Sequence, residues 1–273
     1  MRALPKEEHT VTSNDEAVKA AADRLHEAVE TARPIIDDGT WPDLDLAQAY
    51  AAQADLVGRR LARGERQSGL KLGFTSLAKM AQMGVSEIIA GRLTDAMAVP
   101  DGGTLDVAGL IHPRVEPEIC FRVARDVDLA DGPEALLAAV DAVAPALEVI
   151  DSRYDGFSFD LPRVVADNTS AAAYAIGPWS ALDRAGIGDL AVSMELTDAP
   201  TTRGSTQAIL GDPLDALRRL AAIGAAHGFT IHEGELVLAG AATAAAPLPL
   251  GTVRVAVATL GEVAITVVDG RTP

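Results

Sequence analysis

The stretch Ile111-His112-Pro113-Arg114-Val115-Glu116-Pro117-Glu118-Ile119-Cys120-Phe121-Arg122-Val123 constrains this chain more than any other. Read as a strand, it sends successive side chains to opposite faces. Val115, Pro117, Ile119, Phe121 and Val123 then share an apolar face, and Glu116, Glu118, Cys120 and Arg122 share the other. Two carboxylates two residues apart repel each other unless something offsets the repulsion. Water does so on a solvated face. A divalent cation does so on a buried one, because hard cations favour carboxylate oxygens. An isolated Glu-x-Glu fits either reading. The run Ala146-Leu147-Glu148-Val149-Ile150-Asp151 repeats the oddity, with a lone glutamate inside what otherwise reads as buried strand.

Composition narrows the partners. With 23 basic and 39 acidic residues the net charge is −16. A chain this acidic is poorly suited to nucleic acid or to an anionic membrane surface. Its 273 residues suffice for one large domain or two small ones. A single cysteine, Cys120, excludes an internal disulfide and a cysteine-rich zinc site, and fits a reducing compartment. No apolar run reaches membrane-spanning length, and no signal-like apolar segment follows Met1-Arg2-Ala3-Leu4-Pro5. A cytoplasmic protein is expected.

The front of the chain reads as helical. After a polar start, Asn14 is placed to cap a helix carrying Ala17, Val18, Ala21, Leu25, Ala28 and Val29 on one face, ended by Pro34. A second helix starts near Asp43 or Asp45 and carries Leu46, Tyr50, Ala54, Val57 and Leu61, with Gly64 closing it. Lys71 follows in a short strand bracketed by Gly69 and Gly73. It either snorkels to solvent or faces a site as a cation. Ser76 caps a short helix with Met80 and Met83, closed by Gly84. Asp131 and Pro133 open a helix through Leu136, Leu137, Val140 and Val143, and Glu148 lies on the strand after it. Val164 to Ser170 carries polar groups out of an apolar run. Asp212-Pro213 starts another helix, and alternating valines at 253, 255 and 257 and at 263 and 267 mark late strands. A helical front and a strand-rich back predict an α+β chain with a curved mixed sheet or roll.

Five segments, in this order and spacing, resemble the 2-keto-4-pentenoate hydratase / 4-oxalocrotonate decarboxylase family of the fumarylacetoacetate hydrolase superfamily. They are Gly69-Leu70-Lys71-Leu72-Gly73, residues 111–118, Pro145-Ala146-Leu147-Glu148-Val149, Val165-Ala166-Asp167-Asn168, and Leu238-Ala239-Gly240-Ala241-Ala242-Thr243. The resemblance spans roughly residues 15 to 270. It implies a mixed β-roll flanked by helices, divided into an N-terminal helical region (1–68) and a catalytic domain (69–273). It also implies a Mg²⁺ or Mn²⁺ site with Glu116, Glu118 and Glu148 as ligands, and no organic cofactor. Lys71 matches the lysine that projects into the site.

Within the family the decarboxylase branch fits better. Hydratases carry an Asp after the short helix, where this chain has Glu87-Ile88-Ile89-Ala90-Gly91. The stretches 73–80, 91–95 and 157–162 also resemble the decarboxylases. The implied reaction is metal-dependent decarboxylation of 2-oxo-3-hexenedioate in aromatic meta-cleavage catabolism, with hydration of 2-hydroxypenta-2,4-dienoate as the alternative. A C–C hydrolase or a non-catalytic structural partner of a hydratase stands further off. The substrate would be a small 2-oxo dicarboxylic acid. Arg114, Asn168 and Thr243 are the expected substrate contacts, with Arg153 as a further cation, and Asp167 is expected to support the metal ligands from behind. Self-association and a complex with the pathway hydratase are further expectations of the resemblance.

Overall fold

A computed structural model describes residues 8–76, 80 and 87–271. Helix α1 (Glu8–Thr31) packs on α2 (Leu46–Ala62). No proline or glycine interrupts residues 8–31, so α1 runs back through Asn14, which is an interior position and not the cap. Asp45 caps α2 in a reciprocal capping box with Gln48, and Gly64 adopts positive φ just beyond its end. The helix expected after Ser76, with Met83 and Gly84, lies largely outside the described residues.

Strand β1 (Gln67–Gly73) carries Lys71, and β2 (Ile89–Thr94) pairs with it antiparallel. Then come β3 (Thr104–Asp106), β4 (Arg114–Val123), α3 (Pro133–Ala139), β5 (Val140–Ile150), α4 (Leu161–Ala166), β6 (Ala171–Ile176) and β7 (Ser180–Ala181). The chain continues through β8 (Ala191–Leu196), β9 (Thr202–Ser205), α5 (Pro213–His227), β10 (Leu236–Leu238), β11 (Ala246–Pro247), β12 (Gly251–Val257) and β13 (Gly261–Val268). Gly132, not Asp131, caps α3; Asp131 closes a preceding 3₁₀ turn. Val140 and Val143 leave the helix and open β5, where β-branched side chains pack on both faces of a covered strand.

One sheet has the order β2-β1-β10-β4-β5-β6, with β11 also on β4 and β7 also on β5. A second, β3-β13-β12-β8-β9, packs against β4, β5 and β6 of the first. This is an α+β architecture with mixed sheets. The main core cluster is continuous from α1 and α2 (Ala21, Leu25, Ala49, Leu56) through β4 and β5 to β12 and β13. Gln53 ties α2 to the sheet: its amide donates to the carbonyls of Ala90 (2.9 Å) and Val165 (2.8 Å) and accepts from Arg92 (2.7 Å).

Pro117 sits mid-strand in β4, which a sheet normally forbids. The pairing explains it. β4 is flanked by β10 opposite 120–122 and by β11 opposite 114–115, and between them the chain at 239–245 bows away. The Pro117 carbonyl accepts from Ala242 on that side, so the missing N–H also faces the bow and costs no bond with β5. The same bow carries Gly240 to Ala245 over the glutamate face of β4.

Candidate metal centre and adjoining cavity

Strand register assembles the site. Glu116 pairs directly with Glu148 across β4 and β5, and Glu118 is two residues along the same face. Lys71 lies opposite Leu238, and Leu238 opposite Cys120, which puts the lysine on that face from the other side. The three carboxylates each present an oxygen within 4.8 Å of the others. All are buried, Glu118 and Glu148 almost completely. Lys71 Nζ is 3.1 Å from Glu148 Oε2 and donates to the Thr169 carbonyl at 3.1 Å. The Gly240 amide donates to Glu118 Oε2 at 2.8 Å. Glu118 Oε1 and both Glu148 oxygens accept no well-directed hydrogen bond in the structure. Buried carboxylate oxygens without donors are costly, and oxygen-rich clusters of this kind suit a hard dication. The residues present therefore fit Mg²⁺ or Mn²⁺.

The surroundings are apolar. Cys120, Ala146, Tyr174 and Leu238 belong to a small hydrophobic cluster on the same side of the sheet. Burial pushes the Glu118 carboxyl well above its usual range, and the charge of Glu148 adds to the rise. Burial likewise lifts Glu148, to about 7, against the pull of Lys71. Burial opposes the Lys71 ammonium too, but the three glutamates outweigh it and its pKa is raised. Burial pushes the Cys120 thiol up, so it is a small core residue with no nucleophilic role.

A cavity of about 850 Å³ opens above this floor. Lys71 and Glu116 reach it from below, Arg114 from the wall, and Thr243 and its neighbours from the bow. Its apolar lining includes Phe74, Ile89, Phe157, Phe159 and Val164. Thr169 and Ser170 complete one edge. His112 stays behind Phe157, with ring centroids 4.9 Å apart.

Two expectations need correction. Asn168 is not a lining residue: its amide is spent on β2, donating to the Arg92 carbonyl (2.8 Å) and accepting from the Arg92 amide (2.7 Å). Asp167 turns to Arg153 instead of the three glutamates: Arg153 donates to it from Nε and, at 3.0 Å, from the backbone amide. Arg153 is thereby buried in an ion pair and supplies no free charge to the cavity. The residues between, Asn168, Thr169 and Ser170, all have positive φ (50°, 53° and 58°), without a glycine among them. This turn delivers the Thr169 carbonyl to Lys71. Gly91 admits it, since a Cβ there would stand 2.6 Å from the Asn168 oxygen. Sequence reading missed Thr169, Gly240 and Phe157 as parts of the site. The available signals were the glycines themselves, Gly91 within a strand pattern and Gly240 after Leu238-Ala239.

Residues 49–268 match the family model for the fumarylacetoacetate (FAA) hydrolase C-terminal region. The chain belongs to the fumarylacetoacetate hydrolase family. Among its relatives is a 4-oxalocrotonate decarboxylase of Pseudomonas sp, 42% identical over 255 residues, covering 93% of this chain and 99% of that protein. A 2-keto-4-pentenoate hydratase of Paraburkholderia xenovorans (strain LB400) is 36% identical over 225 residues, covering 81% and 83%. The structure of 4-oxalocrotonate decarboxylase from Pseudomonas putida G7, complexed with magnesium and adipate, superposes with a TM-score of 0.86 at 36% identity, covering 98% of this chain and all of that one. No helix among the described residues is long and apolar enough to cross a membrane.

Proposed function

We propose that this protein is a Mg²⁺-dependent carboxy-lyase that converts 2-oxo-3-hexenedioate (4-oxalocrotonate) to 2-hydroxypenta-2,4-dienoate and CO₂. The observation that carries the reading is the buried Glu116/Glu118/Glu148 cluster: Glu116 floors a cavity large enough for a six-carbon diacid, and Glu118 Oε1 and the Glu148 oxygens behind it lack well-directed donors. Decarboxylase relatives over nearly the whole chain support the choice of reaction.

In that reading the three glutamates hold the metal, which when bound supplies Lewis-acid charge for the 2-oxo acid end of the substrate. Breaking the C5–C6 bond releases CO₂ and leaves the electron pair at C5, conjugated through C3=C4 to the C2 oxygen, which then takes a proton. Lys71 keeps a fixed positive charge beside that end of the cavity, oriented by Glu148 and the Thr169 carbonyl. The aromatic and aliphatic wall excludes water and so strengthens these electrostatic interactions. Thr243 is placed to offer its hydroxyl from the bow, although in the structure it donates to the Ala244 carbonyl at 3.2 Å. The product is the enol of 2-keto-4-pentenoate, which makes a hydratase acting on that acid the natural companion protein.

Turnover of purified protein with Mg²⁺ on 2-oxo-3-hexenedioate, read as CO₂ release, tests this beside a hydration assay on 2-hydroxypentadienoate. CO₂ release abolished by EDTA and restored by Mg²⁺ is expected. Hydration without CO₂ release would transfer the assignment to the hydratase activity, which the 36%-identical hydratase relative favours. Absence of both would leave the non-catalytic partner role.

A further inference from the structure

The geometry points to Arg114 as the residue that receives the distal carboxylate of the substrate, and so distinguishes a diacid substrate from its monoacid product. The inference rests on the 2-oxo diacid reading above and names which residue enforces it.

Three observations converge. The first is placement. Arg114, Glu116 and Glu118 follow one another on one face of β4, and Arg114 lines the cavity that Glu116 floors. Alternate residues of a strand stand about 6.7 Å apart. That step is comparable with an extended six-carbon chain, so a 2-oxo acid end at the glutamates puts the other end beside Arg114.

The second is pairing. Arg60, Arg122, Arg153 and Arg163 each lie against a carboxylate. Arg114 makes no ion pair among the described residues. Its guanidinium instead lies over the Phe157 ring, 4.4 Å from the centroid. A half-buried guanidinium stacked on an aromatic face keeps its donors at the edge available for a planar, two-pronged acceptor such as a carboxylate.

The third is charge. Among the described lining residues only Lys71 and Arg114 are basic. Lys71 faces the glutamates at the floor, so among the described lining residues Arg114 is the basic group on the wall that a second carboxylate would meet. Lys71 is already committed to Glu148.

The chemistry fixes which kinetic parameter Arg114 serves. A guanidinium stabilises a carboxylate more than the neutral CO₂ it becomes, so it favours the ground state over the transition state. Its contribution therefore goes into capturing the diacid. Once CO₂ has left, the product has no group for Arg114 to hold, which favours release.

The test is calorimetric titration of the Mg²⁺-loaded protein with 2-oxoadipate and with 2-oxohexanoate, which differ only in the distal carboxylate. Wild type should prefer 2-oxoadipate by about 10- to 100-fold, the range of a hydrogen-bonded charge pair. Arg114→Ala should bind the two alike while keeping the wild-type affinity for 2-oxohexanoate, and that retained affinity also shows that the variant folds. Arg114→Lys should recover part of the preference. In turnover the loss should fall on KM. Equal binding of both acids by wild type overturns the inference alone, as does a preference that survives in Arg114→Ala or a parallel loss of both ligands. Binding of neither acid by Mg²⁺-loaded wild type overturns the inference and the functional reading together.

Discussion

Glu148 and Asp167 are both buried carboxylates set against one buried cation, yet the chain treats them in opposite ways. Asp167 is satisfied from within. Arg153 donates to it from Nε and from its backbone amide, and the remaining guanidinium nitrogens bond the carbonyls of Asp151, Ala171 and Asp167. Glu148 has Lys71 at 3.1 Å but no well-directed donor on either oxygen, and it shares its surroundings with Glu116 and Glu118. Burial raises both carboxyls, Asp167 to about 6 and Glu148 to about 7, with the local cation opposing in each case. The first pair is closed and the second group is open. A closed ion pair holds a turn in place; an open cluster of like charges is completed by something from outside the chain.

The strongest way to break this comparison is to neutralise one carboxylate in each group. Glu148→Gln or Glu116→Gln should lower activity by about three orders of magnitude, because the charge that holds the dication is lost. The fold should survive, since removing one of three like charges relieves repulsion. Asp167→Asn should do the reverse. It strands Arg153 as a buried charge, at a cost of about 3–5 kcal/mol in unfolding free energy. Denaturant unfolding without metal, run beside metal titration, separates the two outcomes. Equal destabilisation by both substitutions would mean that the glutamates are structural.

Metal sharpens the same contrast. At a Mg²⁺ concentration one hundred times its Kd, wild type should gain about 2.7 kcal/mol of stability, and EDTA should remove it. Glu116→Gln should lose most of that gain. A variant of the Arg153–Asp167 pair, if it folds, should keep it. A metal-independent melting curve for wild type would contradict the open-cluster reading directly.

The two groups also differ in how far the sequence exposed them. Glu116, Glu118 and Glu148 stood out because carboxylates inside apolar strand runs break a local pattern, whereas the residues alone left Lys71 open between solvent and a site, and the family resemblance chose the site. The α+β class followed from helical periodicity before residue 64 and alternation after 250. The Arg153–Asp167 pair was not legible, for its partners are 14 residues apart on a turn whose shape depends on its packing. Asn168 was misread for the same reason. An amide beside a site suggests a ligand contact, and only the approach of β2 through Gly91 reveals that it clamps backbone instead. At Val140 and Val143 helical spacing and a strand start were both compatible with the residues, and pairing with β4 decided between them.

That turn supplies a smaller test. Asn168→Ala should cost about 2–3 kcal/mol, because it removes two bonds to Arg92 and leaves partly buried backbone groups without partners. Asn168→Gly removes the same bonds but relaxes the positive φ, so it should be less destabilising by about 1 kcal/mol. Both should reduce turnover through the displaced Thr169 carbonyl and the Lys71 ammonium it orients, while metal affinity holds. A simultaneous loss of metal affinity would show that the closed and open groups are one coupled unit.

The smallest effect lies at the far end of the α2–β2 support. His227 stacks on Tyr50, with centroids 4.1 Å apart, and the Tyr50 hydroxyl accepts from the Ala90 amide at 3.2 Å. Burial holds the imidazole below its ordinary pKa of 6.5. The neutral ring is thus favoured in the native state, and the unfolded chain takes the proton first as the pH falls. This contribution to stability is complete above pH 6.5 and is lost as the pH drops through the window between 6.5 and the lowered native value. His227→Gln should flatten the stability profile there without touching metal binding, because the stack supports β2 from the side opposite the glutamates. Persistence of the same slope in the variant would assign it to the buried carboxylates instead, and would tie the pH response of the fold to the open group after all.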